Sequence, residues 1–567
     1  MNLLMEEQRP GRGILNSPLH ATSGHSIPAS NVSGVLAQAE TLLQQRRWQE
    51  AEQLLRESLA KGAPAPTFLG LLVRTLQAQG KSKEARDTID AHTIAMPGAS
   101  PALLLMRAQM LLEMGELKDA IGAFEQAIAA APDQGAGYLG LAVAQGQDGQ
   151  NQAANRSAAI AISKGVDNVG SRSVLAHSFY ELHRYDEAES EYRRALKHNP
   201  GNVRTHTSLA ELVWLRTRDA AAALVDIDHA ITQCRDARSL ELQLVRVRVL
   251  SAAGFHQRAM EQLETLLAAN PNHLSLRILA IKTSMSVDAS KAVQHAAYAM
   301  RMAPGHTGIL GLYGDAMLAS GNPSAAAEIA QRLLTGNPHD NHAIALQTAA
   351  WRQLDDARHL PFHDYASLVQ TSLLDVPDGW SSLQHYLDEL TNELHGAHGL
   401  LAEPLDQSVR GGTQVELRAD ETHGRAVRAF PQAIHGPIQR YMRNLAAGLT
   451  PWHRRVTERY RLNGWWSVRL PSEGHHVSHY HGKGWVSSAC YVQVPQAMNK
   501  NGGEGWLKFG EPGVKTQPAM GADYFVRPQP GMLVLFPSWM WHGTAPFTTE
   551  TGEHRLSMAF DVVPMAG

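Results

Sequence analysis

The chain has 567 residues, enough for about two to four domains of ordinary size. Its 51 Lys and Arg residues nearly balance 54 Asp and Glu residues, so the composition indicates neither a nucleic-acid-binding surface nor an acidic tail. The two cysteines, Cys234 and Cys490, are too few for a disulfide framework, and we expect a protein of the reducing cytoplasm.

The segment 1–33 is rich in Gly, Pro and Ser and has neither a long apolar stretch nor a small-residue cleavage site, so we expect a flexible leader and no secretory signal. No apolar run reaches the roughly 18 residues that a spanning helix needs, and we expect no membrane segment. The chain changes character near residue 360, because 14 of the 28 histidines lie after residue 358 and eight of the 11 tryptophans lie at or after Trp380.

A self-similar pattern begins at about residue 34, in which a short turn-like segment ends in a small residue that starts a new apolar helix. The small residues are Ala51, Ala85, Ala120, Ala154, Ala188, Ala259 and Ala326. Their spacing is nearly constant up to Ala188 and then doubles twice, which we interpret as two double periods with Ala222 and Ala292 as the missing members. Nine units result. Prolines that would end the second helix of a pair follow six of these alanines at one constant distance, at Pro97, Pro132, Pro200, Pro271, Pro304 and Pro338.

Paired helices with a period of about 34 residues resemble the tetratricopeptide repeat. The small, aromatic and proline positions of that family are occupied in the third unit by Ala108, Ala120, Phe124, Ala127 and Pro132, and in the fifth unit by Ala176, Ala188, Tyr192, Ala195 and Pro200. The resemblance implies an all-α solenoid over residues 34–355 with a groove that binds a peptide or protein segment. A spacer or a surface for self-association, such as a homodimer, is the alternative.

After residue 355 the period stops, and helical patterns give way to short β-type segments: WWSVRL, HHVSHYH, SSACYVQVP, GWLKFG, GMLVLFPS and RLSMAFDVV. Short alternating or apolar runs separated by Gly, Pro and Asn are typical of an antiparallel barrel or jelly roll. We therefore expect one such domain with flanking helices over residues 360–567.

The candidate chemistry lies in these segments. His479 and His481 are two residues apart in a predicted strand, where residues i and i+2 point to one face. His542, just after the apolar strand GMLVLFPS, is the candidate for a third imidazole. Arg555 and Ser557 share a face of the last strand, where an arginine could bind a carboxylate with two hydrogen bonds.

This constellation resembles the Fe(II)- and 2-oxoglutarate-dependent dioxygenases, whose double-stranded β-helix carries an H-x-D/E pair, a distal His and an Arg-x-Ser anchor. Further motifs resemble the oxygenases of this type that bacteria fuse behind tetratricopeptide repeats: DQSVRGGTQ, GWWSVRL, GWLKFGEPG, PGMLVLFPSWMWHGTAPF and RLSMAFDVVP.

The resemblance implies Fe(II) held by His479, His542 and His481. It also implies 2-oxoglutarate with its distal carboxylate on Arg555 and Ser557, Tyr491 as a further hydrogen-bond partner, and dioxygen as the second cosubstrate. The expected activity is hydroxylation of a peptide or protein side chain recruited by the repeats.

One departure concerns His481, which stands where the wider family has a carboxylate. A neutral imidazole there leaves the Fe(II) centre one unit more positive, which should tighten binding of an anionic cosubstrate. His481 is then a third ligand, a group beside a two-His site, or part of an inactive or different metal site. By alternation along the strand, His475 shares the face of His479, and His476 points the other way.

Two alternatives for the whole protein follow from this departure. One is a catalytically inactive repeat scaffold with a metal-binding barrel. The other is a three-His dioxygenase of the cupin type that does not use 2-oxoglutarate, in which Arg555 and Ser557 would have no role.

Overall fold

The computed structural model describes residues 29–565, except residues 62, 64, 94–99, 406, 418–422, 446–451, 458, 500, 501, 550 and 551. Of the predicted leader, residues 1–28 lie outside the described residues, and residues 29–33 begin the first helix. The described chain forms two compact units, one ending at Leu209 and one beginning at Ala210.

The first part of the chain is entirely helical. Its helices are α1 Ala29–Gln44, α2 Trp48–Ala60, α3 Ala65–Ala78, α4 Ser82–Thr93, α5 Pro101–Glu113, α6 Leu117–Ala130, α7 Gly135–Gln147, α8 Asn151–Ser163, α9 Val169–Glu181, α10 Tyr185–His198, α11 Val203–Thr217, α12 Ala220–Gln233, α13 Ala237–Ala252, α14 His256–Ala269, α15 Leu274–Val287, α16 Ala289–Met302, α17 Thr307–Ala319, α18 Pro323–Gly336 and α19 Asn341–Gln353. The boundary between the two compact units falls within α11. None of the described helices combines the length and apolarity needed to cross a lipid bilayer.

Helices α1 to α18 make up nine consecutive pairs, and a buried alanine is the fourth residue of every second helix from α2 to α18. Eight of these nine alanines are the predicted ones. In α12 the predicted Ala222 is wrong by one residue, because Asp219 accepts hydrogen bonds from the backbone N–H groups of Ala221 and Ala222 and starts the helix at Ala220. The fourth position is therefore Ala223, which is 3% exposed.

The predicted prolines mark the ends of these helices. Pro132, for example, follows two residues after the last residue of α6, and Pro200 stands in the same relation to α10. The same holds for Pro271, Pro304 and Pro338, while Pro97 lies outside the described residues. The repeat period read from the sequence is thus the period of the helices.

The rest of the chain combines strands with a few helices. The helices are the 3-10 helices Ala357–Phe362, His453–Arg455 and Gln496–Asn499, and α20 Tyr365–Leu368, α21 Leu383–Ala397 and α22 Arg425–Leu445. The strands are β1 Gln370–Leu373, β2 Val409–Arg410, β3 Thr413–Glu416, β4 Tyr460–Leu470, β5 His475–His476, β6 Val486–Gln493, β7 Leu507–Phe509, β8 Tyr524–Val526, β9 Met532–Pro537, β10 His542–Thr544 and β11 Arg555–Pro564.

Every described strand pair is antiparallel. A six-stranded sheet has the order β1-β9-β6-β11-β4-β3, a three-stranded sheet the order β10-β7-β8, and β2 pairs with β5. The two larger sheets meet where the ring of Phe509 packs edge-on against Phe536, with centroids 5.0 Å apart. The opposite face of the six-stranded sheet is covered by α22, whose Phe430 stacks on Trp465 at 5.6 Å. The predicted fold class, a helical repeat array followed by an antiparallel β domain with flanking helices, is confirmed.

Helix α19 packs directly on the β domain within the second compact unit. The indole N–H of Trp541 donates to the carbonyl of Ala345 at 3.1 Å. Arg352 donates to the carbonyl of Gly510 at 2.7 Å, and Gln353 to that of Gln517, also at 2.7 Å. The last helix before the strands is therefore bonded to the domain that follows it.

Close helix packing in the repeats generates a stability prediction. A Cβ atom on Gly140 of α7 would lie 2.1 Å from the ring of Phe124 of α6, a ring that is fully buried. We predict that Gly140→Ala lowers the free energy of unfolding of the first unit by about 1–3 kcal/mol, measured by urea denaturation, because the ring has no space to move.

The matched control is Gly122→Ala in α6, where an added Cβ would have nothing within 4 Å. That substitution should stabilise the helix by up to about 1 kcal/mol. Equal effects of the two variants would contradict the close-packing account.

Candidate metal centre

Three imidazoles converge at one point of the β domain. His479, His481 and His542 each offer a nitrogen, and these three atoms lie within 4.8 Å of one another. The ring centroids of His479 and His542 are 4.2 Å apart, and that of His481 is 5.2 Å and 5.1 Å from them. The structure therefore brings together the three histidines that the sequence singles out.

Backbone pairing creates this convergence. His479 and His542 form an antiparallel bridge, in which each backbone N–H donates to the other residue's carbonyl at 2.8 and 2.9 Å. Directly opposed residues carry their side chains on the same face. His481 lies two residues further on and returns to that face, and its N–H donates to the carbonyl of Ser538 at 2.8 Å.

Hydrogen bonds at Nδ1 fix the orientation of each ring. His479 Nδ1 lies 2.9 Å from the carbonyl oxygen of Val477, and His542 Nδ1 lies 2.9 Å from that of Met540. His481 Nδ1 is 2.6 Å from a carboxylate oxygen of Asp561. Because these acceptors require a proton on Nδ1, the lone pair of each neutral ring is on Nε2, where it can bind a metal.

The electrostatic environment keeps two of these rings uncharged. Burial, reinforced by the neighbouring imidazole of His481, lowers the pKa of His479 to about 3. Burial also holds the pKa of His542, which is 6% exposed, well below its usual range. Neutral imidazoles are the form that binds transition metals, and nitrogen donors suit Fe(II), so the residues present fit an iron ion.

The loop that carries His481 and Gly484, which we call the ligand loop, is bonded to α19. The side-chain amide of Asn341, at the start of α19, donates to the carbonyls of His481 and Gly484 at 2.8 and 2.6 Å. Tyr480 points away from the imidazoles, where its ring stacks on His342 at 5.4 Å and meets Trp541 edge-on at 5.0 Å. Asn341 is 2% exposed, so these contacts are shielded from water.

The predicted anion anchor is a buried cation without an anionic partner among the described residues. Arg555 is 2% exposed, and one guanidinium nitrogen donates to the carbonyl of Gly505 at 3.0 Å, while its Nε has no partner. Burial lowers the pKa of Arg555, although an arginine stays protonated in proteins. The buried hydroxyl of Tyr491 also lacks a partner, and its ring lies 5.8 Å from the guanidinium. Two unsatisfied buried groups side by side are the arrangement expected of a binding site for a carboxylate.

The metal and anion positions lie on one face of two paired strands. Strand β11 places Arg555, Ser557, Ala559 and Asp561 on that face by alternation. In the neighbouring strand β6, Tyr491 pairs with Ser557 and Ser487 pairs with Asp561. Between these two ends lie the small side chains of Ala489 and Ala559, which are only half-buried although their strand neighbours are buried. The face is therefore open at these two small residues between its polar ends, and we call this opening the hollow.

The expected orientation of His476 is wrong. Its ring stacks on His479 with centroids 5.9 Å apart, and its Nδ1 lies 3.0 Å from the hydroxyl of Ser408. His475 instead lies beside the carbonyl of Glu473. The alternation argument fails because regular pairing ends at His476 and the chain bends before His479.

Sequence reasoning missed Ser408 and Asp561. The hydroxyl of Ser408 lies 3.4 Å from His479 Nε2, and its only sequence signal is its place in the motif DQSVRGGTQ. Asp561 could have been found by extending the alternation of Arg555 and Ser557 by two more steps along the same strand.

Comparisons with known proteins agree with this division of the chain. Residues 464–561 match the family model described as "Putative 2OG-Fe(II) oxygenase", a range that includes all three imidazoles, Arg555 and Ser557. Models described as tetratricopeptide repeat match residues 42–110, 105–162, 174–234 and 287–350. The predicted combination of these repeats with a 2OG-Fe(II) oxygenase domain is confirmed at this level. A search of curated proteins finds no match.

Several solved structures of repeat proteins are similar to parts of this chain. One from Thermus thermophilus is 20% identical over 32% of this chain and 100% of its own, with a TM-score of 0.28. One from Parabacteroides merdae is 17% identical over 45% of this chain and 99% of its own, with a TM-score of 0.33. The C-terminal part of a repeat protein from Cytophaga hutchinsonii is 13% identical over 49% and 98%, with a TM-score of 0.28.

The bonds from α19 to the ligand loop generate a prediction. We expect Asn341→Leu, which preserves size but removes both donors, to lower the free energy of unfolding of the second unit by about 2 kcal/mol or more, because two buried carbonyls lose their partner. Urea denaturation measures this loss, and a metal titration should show weaker binding.

Gln353→Leu is the matched control, since it removes one exposed hydrogen bond at the other end of the same helix. Its effect on stability should stay below about 1 kcal/mol and its effect on metal binding should be nil. Unchanged metal affinity in Asn341→Leu would show that the ligand loop does not depend on α19.

Proposed function

We propose that the protein is an Fe(II)- and 2-oxoglutarate-dependent dioxygenase that hydroxylates a side chain of a peptide or protein recruited by its helical repeats. One observation carries the proposal: three imidazoles with Nε2 lone pairs and a buried arginine without an anionic partner serve the same hollow face of the β domain. A metal site alone would account only for the imidazoles.

In this proposal the Nε2 atoms of His479, His481 and His542 hold the iron. Three protein ligands leave the remaining positions of the ion for cosubstrate and dioxygen. Once bound, iron and 2-oxoglutarate supply the oxidising chemistry that places an oxygen atom on the substrate. The residues of this chain contribute fixed ring orientations and a buried anchor for the anion.

The distal carboxylate of 2-oxoglutarate binds at the other end of the hollow. Arg555 offers its free Nε–H, and the hydroxyls of Tyr491 and Ser557 offer further donors. The small side chains of Ala489 and Ala559 leave room for the carbon chain between anchor and metal. Binding the carboxylate there also compensates the buried guanidinium charge.

The two alternative functions fit these features less well. A three-His dioxygenase that does not use 2-oxoglutarate has no role for the buried, unpaired Arg555. An inactive scaffold has no need for three imidazoles whose Nδ1 atoms are all bonded so that each ring keeps its lone pair on Nε2. Buried polar groups without partners are costly, and the presence of both features supports a bound cosubstrate.

The repeats support a polypeptide substrate. Tetratricopeptide repeats generally mediate protein interactions, which supports a protein partner for this array. Contacts of a substrate with the repeats would raise its effective concentration at the β domain, so the contacts at the metal centre need not be strong.

The central experiment is anaerobic addition of Fe(II) and 2-oxoglutarate to the full-length protein. We expect a visible charge-transfer band, followed by succinate when oxygen is admitted. His542→Ala should lose iron binding. Arg555→Met should bind iron but give no band at the concentration of 2-oxoglutarate that saturates the wild type, because the anion loses its charged partner.

Ala559→Leu tests whether the cosubstrate occupies the hollow between the two ends. It should behave like Arg555→Met, with iron binding kept and 2-oxoglutarate binding lost, because the larger side chain occupies the space of the cosubstrate. Iron binding by the wild type without a band and without succinate would contradict the proposed function.

A truncated chain tests the role of the repeats. A protein that begins at Asn202, just before α11, keeps α19 and the β domain but lacks α1 to α10. For a peptide captured by the full-length protein, we expect a higher KM with nearly unchanged kcat, because recruitment is lost while the metal centre is intact.

The charge-transfer band of the truncated chain should equal that of the full-length protein, which shows that the site is folded. A fall in kcat by the same factor as the rise in KM would contradict recruitment by the repeats.

A further inference from the structure

Asp561 is a buried carboxylate that lies directly behind one of the imidazoles. It is 6% exposed, and its Oδ1 lies 2.6 Å from His481 Nδ1. The same oxygen accepts a hydrogen bond from the hydroxyl of Ser487 at 2.7 Å, and that hydroxyl is 2.8 Å from the hydroxyl of Ser538. Among the described residues no lysine or arginine forms an ion pair with Asp561. Among the described residues, His481 is therefore the ionisable side chain that Asp561 contacts.

The backbone around Asp561 is shaped to admit this arrangement. A Cβ atom on Gly484 would lie 2.3 Å from the Ser538 hydroxyl and 3.1 Å from the carboxyl carbon of Asp561, so a larger residue would displace the network. On the other side, β4 carries a bulge opposite Asp561, because Phe560 pairs with Trp465 while Val562 pairs with Leu462. Bulges redirect side chains next to active sites.

We propose that Asp561 supplies, through the imidazole of His481, the negative charge that a carboxylate ligand supplies in the wider family. Given the proposed function, the carboxylate is one ring away from the iron instead of bound to it. Asp561 is a positioning residue, since it acts through His481. A carboxylate that accepts the Nδ1 proton fixes the ring and makes Nε2 a stronger donor to the metal.

The same arrangement compensates the extra positive charge that the H-x-H pattern would otherwise leave at the metal. His481 alone would leave the centre one unit more positive than an aspartate ligand would. With Asp561 included, metal and surrounding protein carry the same total charge as in a site with a direct carboxylate, but at a greater distance from the ion. His481 is accordingly a metal ligand and not a group beside a two-His site.

The test uses the full-length protein and metal binding, not turnover. Asp561→Asn preserves shape but removes the charge, and we expect its affinity for Fe(II), measured anaerobically by calorimetry, to fall about 10- to 100-fold. Ser487→Ala removes one donor to the same oxygen while it keeps the charge, and its loss of affinity should be smaller than that of Asp561→Asn. The absorption bands of bound Co(II) should change in Asp561→Asn, because without the negative charge behind it His481 Nε2 is a weaker donor to the metal.

The outcomes separate this inference from the proposed function. Absence of metal binding by the wild type would remove the proposed function, whereas wild-type binding with equal affinity in Asp561→Asn would overturn only the role of Asp561. If Asp561→Asn does not fold alone, the double variant His481→Asp with Asp561→Asn decides, because the new amide then has a carboxylate at position 481 to donate to and that carboxylate lies on the metal. Fe(II) affinity within about tenfold of the wild type supports the proposal, and a larger loss overturns it.

Discussion

The candidate metal centre depends on one backbone constraint, the antiparallel bridge between His479 and His542. Two hydrogen bonds hold these residues opposite each other although they lie far apart in the chain. The bridge alone gives a pair of imidazoles on one face, and alternation adds His481 as the third. Each ring then needs only an acceptor at Nδ1 to direct its Nε2 inward. Two of the acceptors are backbone carbonyls, which are present whatever the side chain at that position. The third is the carboxylate of Asp561.

A second consequence of strand geometry is the separation of charge along β11. Arg555 and Asp561 are six residues apart on the same face, so their opposite charges lie at opposite ends of the hollow and do not neutralise each other. Had they met, neither would be available to a ligand. The guanidinium remains free for an external anion, and the carboxylate remains free for the imidazole. The small residues between them, Ala489 and Ala559, keep the space open in which a bound anion would reach the metal.

Much of this could be predicted because the patterns involved are local. The repeat period, the β-type segments and the alternation that pairs His479 with His481 all depend on neighbours within a few residues. The misses have equally local causes. Spacing alone favours Ala222 over Ala223. This prediction fails because the Asp219 cap sets the start of the helix, and spacing does not reveal a cap. Alternation misplaces His476 because the chain bends after a two-residue strand. Asp561 resembles an ordinary polar residue within an apolar strand until the partner facing it is known.

No local pattern, however, could have revealed the contact of Asn341 with the ligand loop, because 140 residues separate it from His481. This contact changes where the functional unit begins. The helical period ends before α19, but α19 supplies two hydrogen bonds to the loop and a ring contact to Tyr480, all within the second compact unit. A deletion of the whole repeat region through residue 355 would remove these bonds together with the repeats, and any loss measured would then also reflect damage to the ligand loop. The amide of Asn341 also joins the carbonyl of His481 to the first turn of a helix. A displacement of that helix therefore acts on His481 directly, while the bridge between His479 and His542 remains intact.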